Sequence, residues 1–180
     1  MGDESSKKYT LTYEDTTFFG LLKIFGFKRA FLNWSMAFSL LFMFLINLIV
    51  CLKGIHYYYS LAELLGPTIL GSSATVFGIV LAALAVTISL FHPSILPSML
   101  EEKLLHRYLF PFWKAVALWG VNMVLSLFLI ILTQIELKGF FIVESILSFN
   151  LLLFLYSTFY TVKISGLVVQ LTLYWAQLKK

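Results

Sequence analysis

The side chains of this sequence that could do chemistry are polar residues set inside long hydrophobic runs. Three asparagines lie deep in such runs: Asn47, Asn122 and Asn150. An amide without a hydrogen-bond partner is costly in hydrocarbon, so these side chains are expected to face other helices or water and not lipid. Ser126 and Thr133 follow Asn122 at heptad-like spacing and extend one weakly polar stripe. The stripe either lines a water-filled pore or joins helices by hydrogen bonds, and the sequence leaves both interpretations open.

Histidines and carboxylates offer little for catalysis. His56, His92 and His106 have no spacing typical of a metal site. Glu101 and Glu102 precede His106, but no second convergent cluster of polar residues, glycine-rich phosphate loop or nucleophile motif accompanies them. We therefore expect no enzymatic activity, no metal site and no cofactor.

A basic group lies between the second and third hydrophobic runs. Lys103, Arg107 and Lys114 could together hold an anionic ligand such as a nucleotide or an oligonucleotide. Anionic lipid headgroups and membrane orientation account for basic residues there as well. No feature of the sequence predicts the reading of duplex DNA.

Small residues recur along one face of the run from Gly66 to Phe91. Their spacing of 4, 3, 4, 3 and 4 residues lays them along a single helix face, here called the seam. In lipid, small residues let two helix backbones approach closely, so the seam predicts a helix contact, and we expect the rest of the protein to pack around this helix. The seam consists of Gly71, Thr75, Gly78, Ala82, Ala85 and Ser89.

The polypeptide that positions these residues is mostly apolar. Of its 180 residues, 60% are hydrophobic and 12% are charged, whereas soluble domains carry about 25% charged residues. Uncharged runs of the length needed to cross a bilayer, about 20 residues, predict four transmembrane helices. We expect an all-α membrane protein in which residues 34–180 form one domain. The predicted spans are residues 34–52, 66–91, 113–135 and 140–162, the last continuing as a cytoplasmic helix past Lys163.

The segments before and between the predicted spans allow further predictions. Residues 53–65 contain three tyrosines and are expected to form a loop along the membrane surface. Pro111 is expected to open the third span. Residues 1–33 are expected to form a cytoplasmic leader that is not cleaved and that ends in an amphipathic interfacial helix, because three basic residues and two glycines interrupt its apolar part.

The charge distribution predicts the orientation. Eleven of the 13 Lys and Arg residues fall on one side of the predicted spans, and only Lys53 and Lys138 fall on the other. The positive-inside rule then places both termini in the cytoplasm. Four helices of one chain are too few to enclose an aqueous channel, so conduction would require several copies around an axis.

In its length, its 11 lysines against two arginines, its predicted cytoplasmic termini and its basic inner face, the chain resembles small four-span channel effectors of bacterial antiphage systems, such as the channel subunit of the Hailong type. The resemblance implies a homo-oligomeric pore, for example a tetramer, in the bacterial inner membrane. It also implies opening by a cytosolic nucleotide-derived anion and depolarisation of the membrane. The alternative function is a non-conducting anchor or assembly subunit of a larger membrane complex. A secondary transporter is disfavoured because broken helices and an inverted repeat are missing.

Overall fold

Four helices account for nearly all of the chain that the computed structural model describes, which is residues 33–53, 56–89, 104–135 and 140–178. Within these ranges every residue except Asn33 and Ile135 is helical. The all-α class is therefore confirmed for the described chain. The predicted leader and interfacial helix at residues 1–32 lie outside it. The helices are α1 (Trp34–Lys53), α2 (His56–Ser89), α3 (Leu104–Gln134) and α4 (Phe140–Leu178).

Two helices begin earlier than the sequence predicts. Helix α2 begins at His56 and contains Pro67, so most of the expected surface loop is helical. Helix α3 begins at Leu104 and contains Pro111, which therefore does not open the span. Both predictions were wrong. Tyrosines at a membrane surface are compatible with a helix, and a proline removes only one backbone hydrogen bond, a loss that packing against neighbouring helices compensates in membrane proteins. The predicted continuation of the fourth helix past Lys163 is confirmed, since α4 extends to Leu178.

Three of the helices are long and apolar enough to cross a membrane: Tyr57–Ser89, Leu109–Gln134 and Phe141–Gln170. Helix α1 carries a shorter apolar stretch, Trp34–Val50, so a crossing by this helix remains a prediction. Large apolar side chains lie on the outside of the bundle, with Trp34 81% and Phe141 79% exposed. Such a surface suits lipid and not water, which identifies the chain as a membrane protein.

Helix α2 packs most extensively on α3, and α4 packs on α3, α1 and α2. Asn33 begins α1 as its N-cap, since its Oδ1 accepts the backbone N–H of Met36 at 3.2 Å. Phe159 of α4 then lies between Phe38 and Phe42 of α1, with ring centroids 6.0 and 5.9 Å apart. These aromatic contacts fix α1 against α4, while α1 has little contact with α2.

The core consists of two hydrophobic clusters that follow one another along the bundle. The Trp119 cluster contains Val80, Leu84, Phe112, Ala115, Leu118, Trp119, Tyr156, Tyr160 and Ile164. The Leu147 cluster contains Met43, Ala62, Ile69, Leu129, Val143, Leu147 and Leu151. Phe154 is half-buried and packs against both. On α2 and α3 the residues between the two clusters include buried polar side chains, which form the candidate site.

Candidate functional site

Two of the three predicted asparagines meet in the middle of the bundle. Asn150 Nδ2 of α4 donates to Ser126 Oγ of α3 at 2.9 Å. With the Asn122 amide oriented to suit its neighbours, its nitrogen donates to Asn150 Oδ1 at 2.6 Å and to the Asn150 backbone oxygen at 3.2 Å. Its oxygen accepts the backbone N–H of Phe154 at 3.2 Å. Asn122, Ser126 and Asn150 are each 0% exposed.

This arrangement joins α3 to α4 through side-chain amides. Asn122 reaches both the carbonyl of Asn150 and the N–H of Phe154, which are four residues apart on α4. Interhelical hydrogen bonds in membrane proteins contribute about 0.6 kcal/mol each on average, so their main effect here is to fix the rotation and register of the two helices. The polar groups of the stripe form their hydrogen bonds within the chain, as residues that pack helices together do.

The other two predicted polar residues pair with tyrosines of α2. Tyr59 Oη donates to the backbone oxygen of Thr133, whose own Oγ1 donates to Ile130 at 2.8 Å. Tyr58 Oη donates to Asn47 Oδ1 of α1 at 3.3 Å. The first turns of α2 are therefore tied to α3 and α1 by phenol groups, and the five residues of the predicted polar set all have partners within one chain. Sequence reasoning missed the tyrosine partners, because only the tertiary fold brings them together.

Lys114 lies in an aromatic cage inside the bundle. It is 1% exposed, and its Nζ donates to Tyr156 Oη at 2.6 Å. The same Nζ is 4.1 Å from the centroid of the Tyr160 ring and 5.1 Å from that of the Tyr156 ring, distances typical of cation–π contacts. The two rings stack with centroids 6.1 Å apart. One cation is thus held by the hydroxyl of Tyr156 and the ring face of Tyr160, both on α4, while the hydrogen bond places it at the edge of the Tyr156 ring.

This placement corrects the assignment of Lys114 to a polar connection. The side chain belongs to the α3 face that packs on α4, and it is not available at an open surface of the bundle. Lys103 and the side chain of Arg107 lie outside the described part of the structure, so the predicted three-residue anion site is placed only at Lys114. About one turn further along α3, Trp119 Nε1 donates to Thr161 Oγ1 of α4 at 2.9 Å and continues the contact between the two helices.

The seam faces away from the other described helices. All six of its residues are exposed. A Cβ added at Gly71 or at Gly78 would meet no atom within 4 Å. Within the chain, α2 packs on α3 and α4 through its opposite face, so the seam itself meets no other described helix. On that opposite face, a Cβ at Gly66 would lie 3.1 Å from Ile130 Cγ1 of α3, so the close approach within the chain occurs at Gly66.

Ser73 is a buried polar residue that the sequence analysis did not single out. It lies on the packed face of α2 between Ile69 and Val80, and it is 0% exposed. Ser73 follows the helical spacing of the buried residues on that face, so a heptad count along α2 could have identified it as buried. Together with Asn122, Ser126 and Asn150 it forms what we call the polar layer. Within the described ranges, no group of three or more His, Cys, Asp or Glu side chains could hold a metal ion.

Comparisons of the chain with protein-family models, with curated proteins and with solved structures found no match.

Proposed function

We propose that the chain is a subunit of a homo-oligomer in a membrane and that the assembly forms a channel. The observation that carries the proposal is the outward direction of the seam. Its six small residues are exposed along α2, while the opposite face of the same helix is packed on α3. Small residues on a lipid-facing surface favour close contact with another helix, and a second copy of the chain brings a matching surface.

Any pore in such an assembly is lined by outward faces of the subunits and not by the polar layer, whose side chains are enclosed within each chain. The outward face of α2 is the most suitable one, because it is weakly polar. Thr68 and Thr75 are exposed, and their hydroxyls donate to the backbone oxygens of Leu64 at 3.0 Å and Gly71 at 2.9 Å. Their hydrogen bonding is therefore satisfied whether the face contacts water, lipid or another helix.

The proposed signal and location come from the class resemblance. They are a nucleotide-derived anion acting at the cytoplasmic face, a bacterial inner membrane with both termini in the cytoplasm, and depolarisation during antiphage defence. Because Lys114 is enclosed by Tyr156 and Tyr160, direct contact with such an anion falls to Lys103 and Arg107. Lys114 would then act through the packing of α3 on α4.

A second candidate function is a non-conducting assembly subunit of a larger membrane complex. The observation that favours it is that the polar residues of the predicted set are paired within one chain, which leaves a mostly apolar exterior. They are Asn47, Asn122, Ser126, Thr133 and Asn150. In this case the seam would bind a helix of a different protein.

Reconstitution of the purified chain into planar bilayers of neutral lipid separates the two functions. A channel predicts single-channel steps from verified oligomers, with an open probability that rises on addition of nucleotide or oligonucleotide. Silent membranes that contain verified oligomers would contradict the channel and support the assembly subunit. Neutral lipid is needed because anionic headgroups compete for the same basic residues.

A further inference from the structure

One buried hydroxyl in the core is left without a hydrogen bond by the described residues. Ser73 Oγ has no partner among them. Two other buried serines, Ser39 and Ser157, donate to the carbonyl one turn earlier, to Ser35 at 2.6 Å and to Leu153 at 2.7 Å. An isolated hydroxyl enclosed by apolar side chains is unfavourable, so the departure of Ser73 from this pattern requires a physical explanation.

Contacts along α2 and α3 give the level of Ser73 in the bundle. Gly66 lies against Ile130, and Phe77 lies against Gly120, so the two helices run antiparallel. Interpolation between these contacts places Ser73 opposite residues 123 and 124 of α3. Ser73 therefore lies at the same level as the hydrogen-bonded group formed by Asn122, Ser126 and Asn150.

That group has hydrogen-bonding capacity left over. Ser126 Oγ accepts from Asn150, but its own proton has no acceptor among the described residues. Ser73 can donate one hydrogen bond and accept others. Buried water in proteins typically makes about three hydrogen bonds to otherwise unsatisfied polar groups, and it occurs about once in 27 residues. The two serine hydroxyls and the adjacent amides provide such partners.

We propose that one water molecule binds between Ser73 and Ser126 and joins α2 to the Asn122–Asn150 pair. It accepts the Ser126 proton and hydrogen-bonds Ser73 Oγ. The ligand is neutral because all four side chains of the polar layer are uncharged, and an ion at this depth would need a counter-charge. With the water bound, α2, α3 and α4 are connected at a single level between the two hydrophobic clusters.

The first test is the effect of removing the Ser73 hydroxyl from the full chain in detergent micelles. Ser73→Ala should lower Tm by about 2–4 °C, the shift that corresponds to losing one hydrogen bond in a chain of this size. Ser39→Ala is the matched control: it is equally buried, but its hydroxyl bonds only its own helix, so its Tm should change little. If Ser73→Ala leaves Tm unchanged or raises it, the hydroxyl is isolated and the proposal is overturned.

A double-mutant cycle tests whether the two serines share one ligand. Ser126→Ala also removes an Asn150 partner, so it should lower Tm more than Ser73→Ala. The double variant should lose less than the two single shifts together, because either substitution already removes the water contact. Additive shifts would overturn the shared ligand. Replacing Na⁺ by choline should leave Tm unaltered. A loss of stability on that exchange would show that the bound ligand is a cation and not water.

Discussion

At the scale of single residues, the interior of the bundle is organised by amides and phenols and not by ion pairs between described residues. Asn122 and Asn150 use their polar atoms on each other, on Ser126 and on the backbone of α4. Since lipid offers no competing hydrogen bonds, an amide left alone after mutation bears the cost of desolvation. The free energy of unfolding should therefore respond very differently to substitution of one partner and to substitution of both.

Asn122→Leu should lower the free energy of unfolding by about 1–3 kcal/mol, because it leaves the Asn150 amide without its main partner. Adding Asn150→Leu should restore part of the loss, since both polar partners are then apolar. Unfolding in mixed micelles measures both values. Asn47→Leu is the control: Asn47 is only half-buried and accepts one long bond of 3.3 Å from Tyr58, so its loss should be smaller. A double variant as unstable as the sum of its parts would contradict the pairing.

The aromatic cage gives a second prediction at this scale. Tyr156→Phe removes the hydroxyl that accepts from Lys114 and should cost about 1–3 kcal/mol, because a buried ammonium then loses a hydrogen bond. Tyr160→Phe keeps the ring face over the Nζ atom and should cost less. Both are measured by unfolding in micelles. Equal losses for the two variants would show that the hydroxyl of Tyr156 does not support the cation.

At the scale of the elements, α2 is a helix with two different faces. One face packs on α3 through Gly66, Ile69, Ser73 and Val80, and the other presents the seam to the outside. The glycines on the two faces therefore have different roles. Gly66 permits close packing within the chain, while Gly71 and Gly78 have no neighbour that would need the space.

Gly78→Leu should shift the purified chain from oligomer to monomer in mild detergent, because a large side chain separates helices that meet along the seam. Gly166→Leu is a matched control on α4, since a Cβ at Gly166 also meets nothing within 4 Å. The measurement is molar mass by light scattering after gel filtration. An unchanged oligomer for Gly78→Leu, or an equal loss for Gly166→Leu, would show that the seam is not the contact surface.

At the scale of the whole molecule, the described helices form a bundle whose surface is mostly apolar and whose polar contacts between helices are internal. Three helices are long enough to cross a bilayer, and α1 is a shorter apolar helix packed on α4. The direction of insertion depends on the basic residues outside the apolar stretches. Nine of these fall on the predicted cytoplasmic side and two on the other, since Lys114 and Lys163 lie within Leu109–Gln134 and Phe141–Gln170.

Both termini should be cytoplasmic, and cysteine labelling tests this orientation. In a background that lacks Cys51, Ser5→Cys should react with an impermeant maleimide only after permeabilisation of the cells. Gly139→Cys, between α3 and α4 in the sequence, should react in intact cells. Labelling of Ser5→Cys in intact cells would reverse the topology, and with it the side from which a soluble ligand would act.

The sequence alone determined the membrane class, the all-helical fold of the described residues and most helix limits, because these depend on hydrophobic length and local hydrogen bonding. It also identified Asn122, Ser126 and Asn150 as side chains that need partners, since their cost in lipid does not depend on the fold. It placed Lys114 in a connection between two spans, and there it failed. It predicted a helix contact along the seam, but it did not specify that α2 packs on the chain's own helices through the opposite face. Periodicity specifies a face of a helix but not its direction. Only the tertiary structure decided that α2 packs through Ser73 and Gly66, that Lys114 points between two tyrosines and that the seam faces outward, because each outcome depends on contacts between residues far apart in sequence.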